Sequence, residues 1–234
     1  MIKVSSALIL YFSAVIFYVL AVIIGSDNLE LFSKPIIIPS IYYFYYTSVK
    51  GKINYLFSFS ILSYFIGEIL YLLNNNEFLF SGLFFFGIPY LIVTYFLAQD
   101  FLYYLKIKKY EVNNISFYII LLLLCYLLYN VLSFINESSQ LAFSIYIIYG
   151  ILLLIMGVFA FLIQFNFNNI AVTFMVFMIV IFIISDLFYV FSQSTKDVLA
   201  LKMIHVISQQ LSYYLYAGYF VYRTKLYSSK KGKF

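Results

Sequence analysis

The sequence predicts an all-α, polytopic transmembrane bundle of about eight spans, with the N- and C-termini cytoplasmic. Three observations predict it. Hydrophobic residues make up 65% of the 234 and charged residues 10%, with a mean hydropathy of +1.00. A soluble domain is nearer half apolar and a quarter charged, and could not hide this much apolar surface. The apolar residues run in stretches of about 20 without alternating with polar ones. In lipid the backbone must satisfy its own hydrogen bonds, so such runs select helices over a barrel. Finally, the basic residues segregate. With a cytoplasmic N-terminus, one side carries Lys3, Lys50, Lys52, Lys106, Lys108, Lys109, Arg223, Lys225, Lys230, Lys231 and Lys233. The other carries only Lys34, Lys196 and Lys202. This positive-inside bias sets the orientation and predicts a cell-membrane location, the cytoplasmic membrane if the source is bacterial.

The spans read as 4–25, 34–49, 53–73, 78–98, 115–135, 140–163, 169–191 and 199–222, all within a single transmembrane domain spanning 1–234. The first is longer than the apolar core of a signal peptide and lacks a small-x-small cleavage site, so it reads as a retained helix. The second opens with Lys34-Pro35, and proline suits a first helical turn. Residues 99–114 form the one long connection. The lone Cys125 lies mid-span, without a CxxC partner, and reads as a small core residue. The 28 Phe and 26 Tyr read as compositional bias, with some Tyr serving as interfacial anchors. The net charge of +5 needs no nucleic-acid partner. The basic tail Lys230-Lys231-Gly232-Lys233 holds topology and suits contact with anionic lipid.

A faint repeat joins the third and seventh spans. Gly67-Glu68-Ile69-Leu70-Tyr71 and Ser185-Asp186-Leu187-Phe188-Tyr189 both read small, acidic, apolar, apolar, Tyr. Four helices apart, they run the same way through the membrane. A four-plus-four duplication about the membrane normal produces this, and chance in so biased a sequence is the alternative.

An ionisable group inside a span costs at least ~2.5–3.5 kcal/mol on insertion scales, which makes it a functional candidate. Glu68 and Asp186 are the carboxylates that qualify. Each lies five residues before the outer end of its span, roughly 7–8 Å deep at the helical rise. His205, the sole histidine, enters from the same side, with Gln209, Ser212 and Tyr216 continuing its face. Tyr64 and Tyr71 flank Glu68 on one helix face, and Tyr189 follows Asp186 by one turn. A polar pocket open to the outer leaflet would collect these groups. Plainer roles stand beside this one. Either carboxylate can fix helix packing, Gln209 and Gln210 can serve as interhelical glue, and His205 can sit unpartnered at the interface. Lys34 reads first as a snorkelling lysine, with pairing to a buried carboxylate as the alternative. No hydrolase elbow, zinc motif, Walker loop or dinucleotide fingerprint occurs, so neither a metal nor a cofactor is expected.

At these residues the chain resembles the YhhN family of eight-span membrane proteins, which includes lysoplasmalogenases. The resemblance rests on Lys34-Pro35, Gly67-Glu68, Gly82-Leu83-Phe84-Phe85, Ser185-Asp186 and Tyr213-Tyr214-Leu215, in that order along most of the chain. Glu68 stands where the family has Asp. Pro89 or Tyr90 occupies the region of its fourth-span histidine, and Ala217 the place of its terminal Gln. The resemblance implies hydrolysis of the vinyl ether of a lysoplasmalogen, giving a fatty aldehyde and a glycerophospho-head group. The partner would then be a membrane lipid or lysophospholipid. It implies Asp186 as base or stabiliser and Glu68 as acid, the two roles exchangeable, with His205, Gln209, Tyr64, Tyr71, Tyr189 and Lys34 around the substrate. The departures leave open a relative without activity. Paired intramembrane acids also suit a proton-coupled transporter or a lipid-binding protein, and a non-catalytic scaffold is the third reading.

Overall fold

Local signals set most helix ends. Gly25, at φ +70°, takes the left-handed conformation that closes the first helix, and its N–H returns to the Ala21 carbonyl. Lys50 and Gly51, at φ 48° and 81°, make the turn after the second. Asn54 and Asn169 cap the third and seventh, their side-chain oxygens accepting the N–H groups of Phe57 and Val172. The computed structural model describes residues 5–74, 78–107, 115–134, 140–195 and 198–231. Among the described residues the elements are α1 (Ser6–Ile24), α2 (Asp27–Val49), α3 (Tyr55–Asn74), α4 (Leu79–Ile107), α5 (Ile115–Phe134), α6 (Gln140–Asn166), α7 (Ile170–Ser194) and α8 (Leu199–Lys231).

Five of these helices, α1, α3, α4, α6 and α7, are long and apolar enough to cross a bilayer. The apolar part of α5, Phe117–Ser133, is shorter. The chain is therefore a multi-pass helical membrane protein. The two remaining helices have a physical reason for their lower hydropathy. α2 begins with Asp27, Glu30 and Lys34, and α8 carries Lys202, His205, Gln209 and Gln210. These helices pack on each other, and their polar residues Ser33, Ser40, Ser208, Gln210 and Ser212 are buried in protein. Polar groups in a membrane helix belong on such an interior face.

Three expected boundaries move, the third being the end of α8, which runs past the expected 222 to Lys231. The second helix starts at Asp27, not at 34, because Asp27 and Glu30 supply a favourable acidic first turn. Pro35 and Pro39 thus lie inside the helix, and Pro35 does not open it. α4 runs on to Ile107, so most of the expected 99–114 connection is helix as far as it is described. Cys125 also departs from expectation. It is exposed on α5 and is not a core residue. Of the tail Lys230-Lys231-Gly232-Lys233, the first two residues end α8, and Gly232 and Lys233 lie outside the described residues.

The packed neighbours are α1 with α2 and α8, α2 with α3 and α8, α3 with α4, α4 with α6, α5 with α6 and α7, α6 with α7, and α7 with α8. The interior is aromatic. Tyr45 of α2, Phe57 of α3, and Tyr216 and Phe220 of α8 form one stack, with successive ring centroids 4.2–5.2 Å apart. Ser60 bonds the Tyr216 hydroxyl at 2.6 Å within it. The stack closes the bundle below the level of Glu68 and leaves a cavity above.

Candidate functional site

A cavity of about 200 Å³ lies between α3, α4, α7 and α8 and extends toward α5 and α6. Glu68, Asp186, His205, Gln209, Tyr64, Tyr71, Tyr189 and Lys34 all line it. The fold thus brings both carboxylates and the six residues expected around the substrate to one space.

The two carboxylates differ in what surrounds them. Glu68 is 5% exposed and faces the Lys34 ammonium at 3.0 Å. It also accepts a hydrogen bond from the Tyr213 hydroxyl. Lys34 therefore does not snorkel to the boundary. Its ammonium points inward because a buried carboxylate offers a better partner than headgroup water, and the Tyr18 ring lies 5.4 Å away. Glu30, one turn earlier on α2, reaches the same ammonium at 3.9 Å. Asp186 accepts a hydrogen bond from the Tyr90 hydroxyl at 2.6 Å. Among the described residues no cation pairs with it. Within the cavity, one carboxylate is charge-compensated and the other is held only by a neutral donor.

His205 is not an unpartnered interfacial residue. Its Nδ1 lies 3.0 Å from the Ser185 carbonyl oxygen and 3.4 Å from the Ser185 hydroxyl, and its ring packs on Tyr189 at 5.2 Å. It thereby ties α8 to the turn of α7 that presents Asp186. Gln209 and Ser212 follow it along the cavity wall, whereas Tyr216 turns down into the aromatic stack. The Tyr64 hydroxyl, in a residue 2% exposed, has no hydrogen-bond partner among the described residues. It is an unpaired hydroxyl enclosed by protein in the cavity wall.

Sequence reasoning missed three residues of consequence. Tyr90 and Tyr213 were visible only as members of short motifs, and nothing in one chain of 26 tyrosines marks which two will donate to carboxylates. The third is Asp100, which lies just beyond the expected fourth span and is buried because α4 continues past it. It forms an ion pair with Arg223 at 2.7 Å and accepts from the Tyr219 and Tyr227 hydroxyls at 2.7 and 2.8 Å. Arg223 in turn lies over the Phe96 and Tyr227 rings. This cluster fastens α4 to α8 at the other end of the bundle from the cavity. No cluster suited to a metal occurs among the described residues.

The cavity is polar where α2, α3, α7 and α8 converge. It is aliphatic where Leu124, Leu127 and Leu128 of α5 and Leu153 of α6 line it. Such a space accepts an amphiphile with its polar end beside the carboxylates. No family model matches the chain, and no curated protein or solved structure matches it either.

Proposed function

We propose that the chain is an eight-span membrane hydrolase that cleaves the vinyl ether of a lysoplasmalogen, as the resemblance to the YhhN family implies, with both termini in the cytoplasm. The observation that carries the reading is the unequal pair: Glu68 held by Lys34, and Asp186 held without a cation, in one cavity with an aliphatic extension. A buried carboxylate beside a cation stays charged, and one with only neutral neighbours is held most cheaply as the neutral acid. This inverts the roles suggested by the sequence, with Asp186 as proton donor and Glu68 as the ionised partner.

The chemistry follows from that inequality. Asp186 gives its proton to the vinyl carbon remote from the ether oxygen, leaving an oxocarbenium ion. The Glu68 carboxylate stabilises this cation across the cavity and takes a proton from the water that attacks the carbon bonded to oxygen. The product is a hemiacetal. Asp186, now a carboxylate, removes the hemiacetal hydroxyl proton as the C–O bond to the head group breaks. Glu68 returns its proton to the departing oxygen. Aldehyde and glycerophospho-alcohol leave, and both carboxyl groups regain their starting states. The division of labour parallels the paired carboxyl groups of glycosidases.

A four-plus-four duplication supports the pairing. Exchanging α1 with α5, α2 with α6, α3 with α7 and α4 with α8 carries most helix neighbours into other neighbours. The same exchange turns the Tyr213–Glu68 bond into the Tyr90–Asp186 bond. In the same register it turns Tyr71 against Gly82 into Tyr189 against His205, and it relates Asp100 to Arg223. Independent side-chain contacts falling in one register are far harder to obtain by chance than a five-residue motif.

The test is aldehyde release from an alkenyl lysophospholipid by purified protein in nanodiscs. Asp186→Asn should abolish release while leaving the melting behaviour near that of the wild type. Normal turnover by that variant would remove Asp186 from the mechanism. Uptake that follows a pH gradient without any aldehyde would replace the hydrolase with a proton-coupled carrier.

A further inference from the structure

We propose that α5 and α6 form a subsite that measures a single aliphatic chain, with Leu128 seated over Gly150 as its adjustable end. The proposal rests on the amphiphile reading of the cavity, but not on the bond that is cleaved.

The two halves of the bundle treat the space beside the carboxylates differently. On the α1 side it is filled. Tyr11 and Tyr18 are buried, Tyr11 donates to the Gln210 carbonyl, and Tyr18 lies against the Lys34 ammonium. On the α5 side it is open, and its wall is mainly aliphatic, with Tyr146 and Tyr149 of α6 beside the leucines. Leu124 and Leu128 stand one turn apart on α5. They fall on Gly157 and Gly150, two turns apart on α6. A Cβ at Gly157 would stand 2.8 Å from Leu124 Cδ1, and one at Gly150 would run into Leu128 Cδ1. The glycines therefore let α5 approach α6 closely and give the leucine ends room to lie back from the cavity. Leu124, Leu128 and Gly150 all line it.

The chemistry of the wall names the occupant. These leucines offer no hydrogen-bond partner, so whatever passes between them is hydrocarbon, while the polar atoms remain near Lys34, Glu68 and Gln209. On the proposed hydrolase reading the occupant is a single-chain amphiphile, and the aliphatic wall directs its tail at the α5–α6 seam. Gly150 supplies room at the end of that tail, and Leu128 sets how much.

The experiment uses the full-length protein in detergent. It is presented with an equimolar mixture of saturated ester lysophosphatidylcholines and read by native mass spectrometry. The chains run from roughly 12 to 18 carbons, with each buried methylene worth roughly fourfold in occupancy until the subsite is filled. These ligands contain no vinyl ether, so binding is read apart from hydrolysis. Occupancy should rise with chain length and then level off. Leu128→Ala should move the plateau to longer chains and Gly150→Ala to shorter ones. Leu91→Ala, at a lipid-exposed position on α4 outside the cavity, should leave it where it was. A plateau common to all variants, an equal shift in Leu91→Ala, or no bound lipid at all would overturn the proposal. Should Gly150→Ala fail to fold, the shift in Leu128→Ala decides alone. A shifted plateau without aldehyde release from alkenyl lipid would sink the hydrolase reading and leave the chain subsite standing.

Discussion

Replacing Lys34 with methionine removes the ammonium while keeping an unbranched apolar stem of similar length. At 3.0 Å from Glu68, with an effective dielectric of about 20, the lost attraction is roughly 5–6 kcal/mol. Glu30 at 3.9 Å loses the same partner but is more exposed, so its share is screened by solvent. Glu68 keeps only the Tyr213 hydroxyl and can reduce the penalty by taking up a proton. The net cost should therefore fall near the ~3–5 kcal/mol typical of a buried pair broken on one side. Thermal melting in nanodiscs measures it. The decisive comparison is the double variant Lys34→Met, Glu68→Gln, which removes both charges and keeps a group able to accept from Tyr213. It should recover more than half of the lost stability. A single variant that melts within about 1 kcal/mol of wild type, or a double variant no better than the single, would show that Lys34 does not hold Glu68.

Two further outcomes follow from the packing. Arg223→Gln should destabilise the protein by ~3–5 kcal/mol, because Asp100 is left buried with hydroxyl donors alone. Arg223→Lys should recover only part of this in the same melting assay, since both Nε and the terminal guanidinium nitrogen now reach the carboxylate. Gly82→Ala places a methyl where the Tyr71 ring edge lies, so that ring must turn toward the cavity. The expected cost is ~1–3 kcal/mol by melting, with a larger proportional loss of aldehyde release, and equal losses in both readouts would argue against the cavity's role.

The legible and illegible parts of this chain separate along a physical line. Long apolar runs specify helices because lipid permits little else, so the eight helices were readable nearly to their ends. The boundaries that moved did so where polar residues continue a helix outside the apolar run, at Asp27–Ser33, past Ala98 and past Tyr222. Glu68, Asp186 and His205 were readable as site residues because ionisable groups inside spans are costly. Their partners were not. Tyr90 and Tyr213 are phenols among many, and their roles depend on which helices cross at that depth. Lys34 was misread for a related reason: its position near a span end fits snorkelling, and only the adjacency of α2 and α3 turns it inward. Cys125 was placed in the core because it lies mid-span, but a mid-span residue is buried only if its face meets a neighbour.

One lysine is the number such a site requires. Two carboxyl groups brought into one cavity repel if both are charged, and neither activates water if both are neutral. A cation beside each would fix both as carboxylates and leave no proton to give. α2 carries Lys34 at the depth of Glu68, whereas its counterpart in the proposed duplication, α6, contains no Lys, Arg, His, Asp or Glu between Gln140 and Asn166. Lys34 charged, Glu68 charged and Asp186 neutral give a site with no net charge, the least costly arrangement to bury, and one that holds a single transferable proton. On the proposed duplication and mechanism, the lysine present in one half alone is the feature that lets matched carboxylates take different roles. Moving the lysine tests this directly. A variant combining Lys34→Met with Tyr149→Lys, on the cavity-facing side of α6, should shift the cation toward the Asp186 half. Lys34→Met alone should lose aldehyde release, because neither carboxyl group is then charged to activate water, and adding Tyr149→Lys should restore part of it. A Lys34→Met variant with wild-type turnover, or a double variant no more active than the single, would refute the assignment by charge.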